Sequence, residues 1–256
     1  LREVPGRCDG LATQTARDPG AEPRENVVDH QPTCTERTED GRRLPLLVWR
    51  FAEEVTVVSS APVGGGIATA SWLLNAQVAP GYARTDLAEH VGELAAAVGL
   101  EGTGVGLLTA ADVGLVTRGD DSDVTAWATV GIRQPTWAAA PTDGIDAVWR
   151  PGTINVVVVL PVALSPAAAI NAVATATEAK TQALLEAGVP GTGTATDALA
   201  VVCAPADRAD VEPFAGPRSV WGGRLARAVH AAVAAGIPIS AARLRAEQAG
   251  TGGGPR

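Results

Sequence analysis

Gly152–Ala204 reads G-T-I-N-V-V-V-V-L-P over 152–161, then an Ala/Thr-rich segment ending T-A-T-E-A-K-T-Q-A-L-L-E-A-G at 188, then G-T-G-T-A-T-D-A-L-A-V-V over 191–202. Thr153 to Leu160 is a short run of mostly β-branched residues, the pattern of a strand buried on both faces. Pro161 ends it. Ser165-Pro166 supplies an N-cap and a proline at the first helical position, and Gly188 with Pro190 beyond it is a stop signal. The stretch therefore predicts a strand, a helix of roughly six turns at 3.6 residues per turn, a polar Gly/Thr loop and a second strand. In the loop, Gly191, Thr192, Gly193, Thr194, Thr196 and Asp197 lie between two apolar elements, where backbone N–H groups and hydroxyls converge.

Working outward, the helix has a polar stripe. Asn171, Thr175, Glu178 and Gln182 recur at i, i+4, i+7 and i+11 and share one face. Ile170, Val173, Thr177 and Leu184 form the adjoining stripe, on which Lys180, the only lysine of the chain, also falls. Two readings stand: a solvated face of an amphipathic helix, or a pocket wall continuous with the Gly/Thr loop, with Glu178 tuned by burial.

The whole chain has 256 residues, 46% of them apolar and 19% charged, which suits a globular fold with a sizeable core. A formal net charge of −8 argues against nucleic acid or an anionic membrane as the main partner. Cys8, Cys34 and Cys203 are odd in number and lack C-x-x-C spacing, so neither a disulfide framework nor a metal site is expected. Pro161, Pro166 and interspersed polar residues interrupt the apolar run Ile154–Ala174, so no membrane span is expected. The opening residues lack an apolar signal-peptide core, and a cytoplasmic location is expected. A homo-oligomer is compatible with this composition.

Residues 1–43 are rich in Arg, Asp, Glu, Pro and Thr without apolar periodicity and read as a disordered tail. One domain is expected over 44–240, with a flexible tail over 241–256. Leu46–Trp49 and Val55–Val58 read as a strand pair joined through Ala52-Glu53-Glu54. Ser59-Ser60-Ala61-Pro62-Val63-Gly64-Gly65-Gly66 follows, and its glycines permit either close approach to a ligand or an ordinary turn. Asp86 caps a helix with Leu87, Val91, Leu94 and Val98 on one face, and His90 on that helix reads as a surface residue. Val105–Thr109 and Val124–Ile132 read as strands, with Asp120–Asp123 as a solvated hairpin tip. Trp127, Trp137 and Trp149 fit a core better than a stacking platform. A last helix is expected from about Gly223, with a stop at Gly236 before Pro238; His230 on it is the one histidine kept as a candidate catalyst. Several strands preceding the helices indicate an α+β (or α/β) single domain, a mixed sheet covered by helices.

The chemistry-bearing set is then Ser59, Ser60, Thr194 and Thr196 as hydroxyls, Glu178 and Asp197 as carboxylates, Lys180 as the amine, and glycine amides. No G-x-S-x-G elbow is present. The set suits oriented water and a stabilised oxyanion, as amide hydrolysis needs, and would equally hold a phosphate. The blocks S-S-A-P-V-G-G-G (59–66), G-T-I-N-V (152–156), T-A-T-E-A-K-T-Q-A-L (175–184) and G-T-G-T-A-T-D-A (191–198) resemble the CbiZ family of adenosylcobinamide amidohydrolases over about Leu46 to Pro238. The resemblance implies a corrinoid-salvage enzyme that hydrolyses the amide between aminopropanol and the corrin ring, giving adenosylcobyric acid. It implies a corrinoid ligand that carries its own cobalt, so that no protein cofactor is needed. The matched positions are Gly64, Gly65, Asn75, Thr177, Glu178, Lys180, Thr181, Gly193, Thr194, Thr196 and Asp197. The chain departs at Ala76, where a His is expected after the Asn, and at Ser219-Val220-Trp221, where a Thr-Glu pair is expected. Glu178 or Asp197 would activate water, Lys180 and Thr196 complete the candidate catalytic set, and Ser60, Gly64, Gly65, Asn75, Thr177, Gly193 and Thr194 would hold substrate. A corrinoid-binding or regulatory module without hydrolysis and a phosphate-binding transferase are the alternatives.

Overall fold

The computed structural model describes residues 31–141, 152–207 and 210–251. Cys8, His30 and Trp149 lie outside them. In chain order the strands are β1 Thr33–Glu39, β2 Arg42–Ser59, β3 Gly66–Gln77, β4 Gly104–Thr109, β5 Thr117–Asp121, β6 Val124–Gly131, β7 Thr153–Val159, β8 Ala163–Leu164, β9 Ala198–Cys203 and β10 Val211–Glu212. The helices are α1 Leu87–Ala97, α2 Pro166–Glu186 and α3 Val220–Thr251.

Every residue of β7 is buried, as the β-branched run implies. Ser165 caps α2 by accepting from the Ala168 N–H at 3.1 Å, and Gly188 at φ +72° ends it. The crossover returns the chain as β9, parallel to and beside β7. Around this unit lies a mixed sheet in the order β4-β3-β2-β9-β7-β6-β5, with β1 added along β2. β3 and β4 are also parallel, whereas β2 runs antiparallel to β1, β3 and β9. The fold is α+β.

The sheet curls strongly. β2 and β6 are three strands apart, a separation of about 14 Å in a flat sheet, yet the Trp49 and Trp127 rings meet edge to face with centroids 5.9 Å apart. Trp127 is thus a core residue, while Trp137 is half exposed. The concave face holds alternate residues of the strands, among them Leu47, Trp49, Leu73, Leu107, Val157 and Val202. On the convex face Ile154, Val156 and Val158 pack beneath Ala172, Ala176 and Leu184 of α2 and Leu225, Val229 and Val233 of α3. A third cluster seats Val91 and Leu94 of α1 on Leu46, Val48 and Leu74.

Four expectations are corrected. Leu46–Trp49 and Val55–Val58 belong to one strand, with a register shift between Arg50 and Val55. Ala52-Glu53-Glu54 has no residue that reverses a chain cheaply, so the surplus is absorbed as an exposed bulge. Strand structure begins inside the stretch read as a tail: β1 pairs along β2 through Asp40-Gly41, both at positive φ (49° and 74°). Asp-Gly is a two-residue hairpin signal, but β1 itself has no apolar pattern and is ordered by its partner. The last helix starts at Val220 and passes Gly236 and Pro238 to Thr251. A Cβ at Gly236 would collide with Val130, and the Thr117 hydroxyl donates to Ala232 O at 2.7 Å, so packing on β5 and β6 carries the helix through its breakers. Lastly, Cys34 is disulfide-bonded, whereas Cys203 is a free, buried thiol.

Among the described residues one helix, Val220–Ala249, has the length and hydropathy of a membrane span. Leu225, Ala228, Val229, Ala232 and Val233 are fully buried on the sheet, which is the packing of a core helix.

Candidate active site

The Gly/Thr loop between α2 and β9 is built around Asp197. Its Oδ1 accepts from the Ile154 N–H at 2.9 Å and contacts the Thr194 hydroxyl at 2.5 Å. Its Oδ2 accepts from the Thr194 N–H at 3.1 Å and from the Lys180 ammonium. A carboxylate has about four lone-pair directions, and all are taken. Lys180 is 9% exposed, on the side of α2 that faces the sheet. Gly193 makes the pair possible, because a Cβ there would overlap both Asp197 Oδ2 and Lys180 Nζ. The loop is tied down by Thr136, whose N–H donates to Gly193 O at 2.9 Å and whose carbonyl accepts from Thr192 N at 3.0 Å.

Thr194 has one hydroxyl proton and two acceptors, Asp197 Oδ1 and Gly152 O, the latter at 2.7 Å. Thr196 also reaches Gly152 O at 3.0 Å and lies 2.7 Å from the Thr153 hydroxyl. With Thr196 donating to Gly152, Thr153 donates to Thr196, and the two form a directed chain. Ser60, at the end of β2, accepts from Leu199 N through its Oγ at 3.1 Å, which leaves its own proton for a further acceptor.

Ser60, Thr153, Thr196 and Asp197 line an open cleft of about 680 Å³ together with Val78–Tyr82 and Leu108–Ala110 at the end of β4. Curling of the sheet brings these strand ends together. Beneath lies a buried amide pair: Asn155 Nδ2 donates to Asn75 Oδ1 at 2.9 Å and to Leu108 O at 3.1 Å, and Asn75 Nδ2 donates to Thr129 Oγ1 at 3.1 Å. Asn75 is thus beneath the cleft and 2% exposed.

The structure separates the other expected residues from this cleft. Glu178 is exposed on α2, since two residues at 100° each place it about 200° from Lys180. Of its stripe only Thr175 is buried, donating to Ala215 O at 2.9 Å, so the stripe is not a pocket wall. Thr177 is exposed and donates back to Val173 O at 2.8 Å. Thr181 supports the loop by donating to Thr192 O at 3.2 Å. Gly64 and Gly65 serve backbone packing: a Cβ on Gly64, at φ +69°, would strike Gly104 O, and one on Gly65 would strike Ala61 O. Ser59 is buried and donates to Leu199 O at 2.8 Å. His230 pairs with Glu186 at 2.7 Å on the outer surface between α3 and α2.

His90 is a correction. It is 2% exposed, its Nδ1 is 2.6 Å from the hydroxyl of Tyr82, and the two rings stack with centroids 5.3 Å apart. Tyr82 borders the cleft. Sequence reasoning passed over this pair; its signal was the single tyrosine of the chain following Pro80-Gly81. Among the described residues no group of three or more His, Cys, Asp or Glu side chains is arranged to hold a metal.

An α+β domain whose curled sheet opens into a cleft rimmed by hydroxyls and one anchored carboxylate is a small-molecule site of the kind amide hydrolysis uses. Residues 30–243 match the CbiZ family, described as adenosylcobinamide amidohydrolase. An adenosylcobinamide amidohydrolase of Methanosarcina mazei is 32% identical over 187 residues, which span 70% of this chain and 89% of that protein. The chain belongs to the CbiZ family and is an amidohydrolase.

Proposed function

We propose that this amidohydrolase cleaves the amide joining aminopropanol to the propionate side chain of the corrin ring in adenosylcobinamide, releasing adenosylcobyric acid for corrinoid salvage into cobalamin synthesis. The family supports the reaction class and the corrinoid substrate. The observation that carries the site is that Asp197 and Thr196, Thr153, and Ser60, from three separate segments of the chain, line one cleft. Cobalt arrives with the substrate, and no cofactor of the protein is invoked.

Asp197 is the carboxylate placed to hold the attacking water. When the Thr194 proton turns to Gly152 O, Asp197 Oδ1 is released to accept from that water. Lys180 and the two backbone N–H groups keep the carboxylate fixed while this happens. The Ser60 proton is the donor for the oxygen of the tetrahedral intermediate, and the Thr153–Thr196 chain, whose protons go to Thr196 and Gly152 O, fixes the rim beside it. Incubation of the purified protein with adenosylcobinamide, followed by mass spectrometry, is expected to show adenosylcobyric acid and free aminopropanol. Corrinoid binding without aminopropanol release would instead indicate a binding module.

A further inference from the structure

Asp197 is surrounded by donors, which suits it to orient water and leaves open where the water's proton goes. Another residue of the same cleft supplies an answer. Tyr82 borders the cleft, and its hydroxyl is 2.6 Å from His90 Nδ1. The far nitrogen of that buried ring, Nε2, faces Glu39 Oε1 at 3.6 Å. Arg37 holds the other oxygen of Glu39 through Nε at 2.9 Å and Nη2 at 2.6 Å. We propose that Tyr82 is a catalytic proton-transfer group of the cleft, backed by His90 and Glu39; this rests on the amidohydrolase reading above.

The tautomer follows from the neighbours. A bare Nε2 lone pair facing a carboxylate is repulsive, so the ring proton sits on Nε2 and Nδ1 accepts the Tyr82 O–H. As water adds to the amide carbon, its proton passes to the Tyr82 oxygen while the phenolic proton passes to Nδ1. The imidazolium so formed lies against Glu39. On collapse of the tetrahedral intermediate the C–N bond breaks, Nδ1 returns its proton to Tyr82, and Tyr82 protonates the departing nitrogen. One water is consumed, an acid and an amine are formed, and the relay ends as it began. Burial raises the Tyr82 pKa above the ordinary phenol value, which keeps it an O–H that passes protons and disfavours a standing phenolate. Tyr82 touches the reacting atoms; His90 and Glu39 act through it.

Tyr82→Phe keeps the ring stacked on His90 and removes only the relay oxygen. Its kcat on adenosylcobinamide is expected to fall about 10²–10⁴-fold, the usual worth of general acid–base catalysis, with KM little changed. The His90 ring is held between Tyr82 and Glu39, the latter fixed by Arg37. His90→Gln cannot take up the Tyr82 proton, so kcat should fall with KM little changed, and the double variant with Tyr82→Phe should lose no more than either single, which a merely structural role would not give; if His90→Gln does not fold, Glu39→Gln makes the same comparison. A folded Tyr82→Phe with kcat within about threefold of wild type overturns the proposal. Wild-type protein that releases no aminopropanol overturns the amidohydrolase reading and this relay with it, so the two failures are distinguishable.

Discussion

Lys180, on the inward side of α2, and Asp197, at the threshold of β9, are joined beside Gly193, where a Cβ would overlap both groups. The pair fixes the α2–β9 loop and presents one carboxylate to the cleft.

Gly193→Ala is therefore expected to force the pair apart. Overpacking of a filled site costs about 1–3 kcal/mol, read as a lower urea midpoint, and the displaced carboxylate should lower amidohydrolase activity as well. An unchanged midpoint with full activity would contradict the close approach at Gly193.

Lys180→Met leaves Asp197 with its side chain only 14% exposed and without its cation. Removing one partner of a buried pair costs about 3–5 kcal/mol. Adding Asp197→Leu should return part of that stability while abolishing turnover, and a double-mutant cycle by chemical unfolding measures the coupling.

Glu178→Gln and Asp197→Asn separate the two carboxylates. Glu178 is exposed away from the cleft, so its amide should leave kcat intact and stability within about 0.5 kcal/mol. Asp197→Asn should reduce kcat by about 100-fold or more. Equal turnover by the two variants would displace Asp197 from the site chemistry.

Cys203 gives a pH dependence of stability. Burial pushes its thiol up to about 11 from 9.0. Between those values the folded state holds a proton that the unfolded state has lost, so stability is unaffected below pH 9.0 and declines as pH rises toward 11. That difference corresponds to about 2–3 kcal/mol. Unfolding curves from pH 8 to 10.5 should slope less steeply in Cys203→Ala than in the wild type, and parallel slopes would refute the assignment.

Ser165→Ala removes the hydroxyl that accepts from Ala168 N. A lost N-cap costs about 1 kcal/mol, and the melting temperature should fall without loss of substrate binding, because Ser165 is at the far end of α2 from the Gly/Thr loop.

The β7–α2–β9 unit was legible in the sequence because its signals are local. The run Thr153–Leu160, the cap at Ser165, the stop at Gly188 and the polar loop each act within a few residues. Gly193, Thr194, Thr196 and Asp197 could be nominated from the same stretch, and so could the fold class. Asp40-Gly41 was equally legible as a hairpin turn, but the strand before it carries no apolar alternation to attract notice.

What only the tertiary structure decided depends on contacts between distant residues. Helical spacing sets Glu178 and Lys180 about 200° apart, but which of the two faces meets the sheet is set by the convex core, and it buried Lys180 and left Glu178 outside. The curl that brings Trp49 to Trp127 and Asn75 to Asn155 arises from pairing across the whole sheet, with no counterpart in any short window. Ser60 and Tyr82, from separate segments, line the same cleft. His90, whose neighbours Glu89 and Glu93 gave it a surface appearance, is enclosed because β1 and the turn at Gly81-Tyr82 close over α1. Local chemistry in the sequence determined the loop and its carboxylate; the folding of remote segments onto one another determined what faces them.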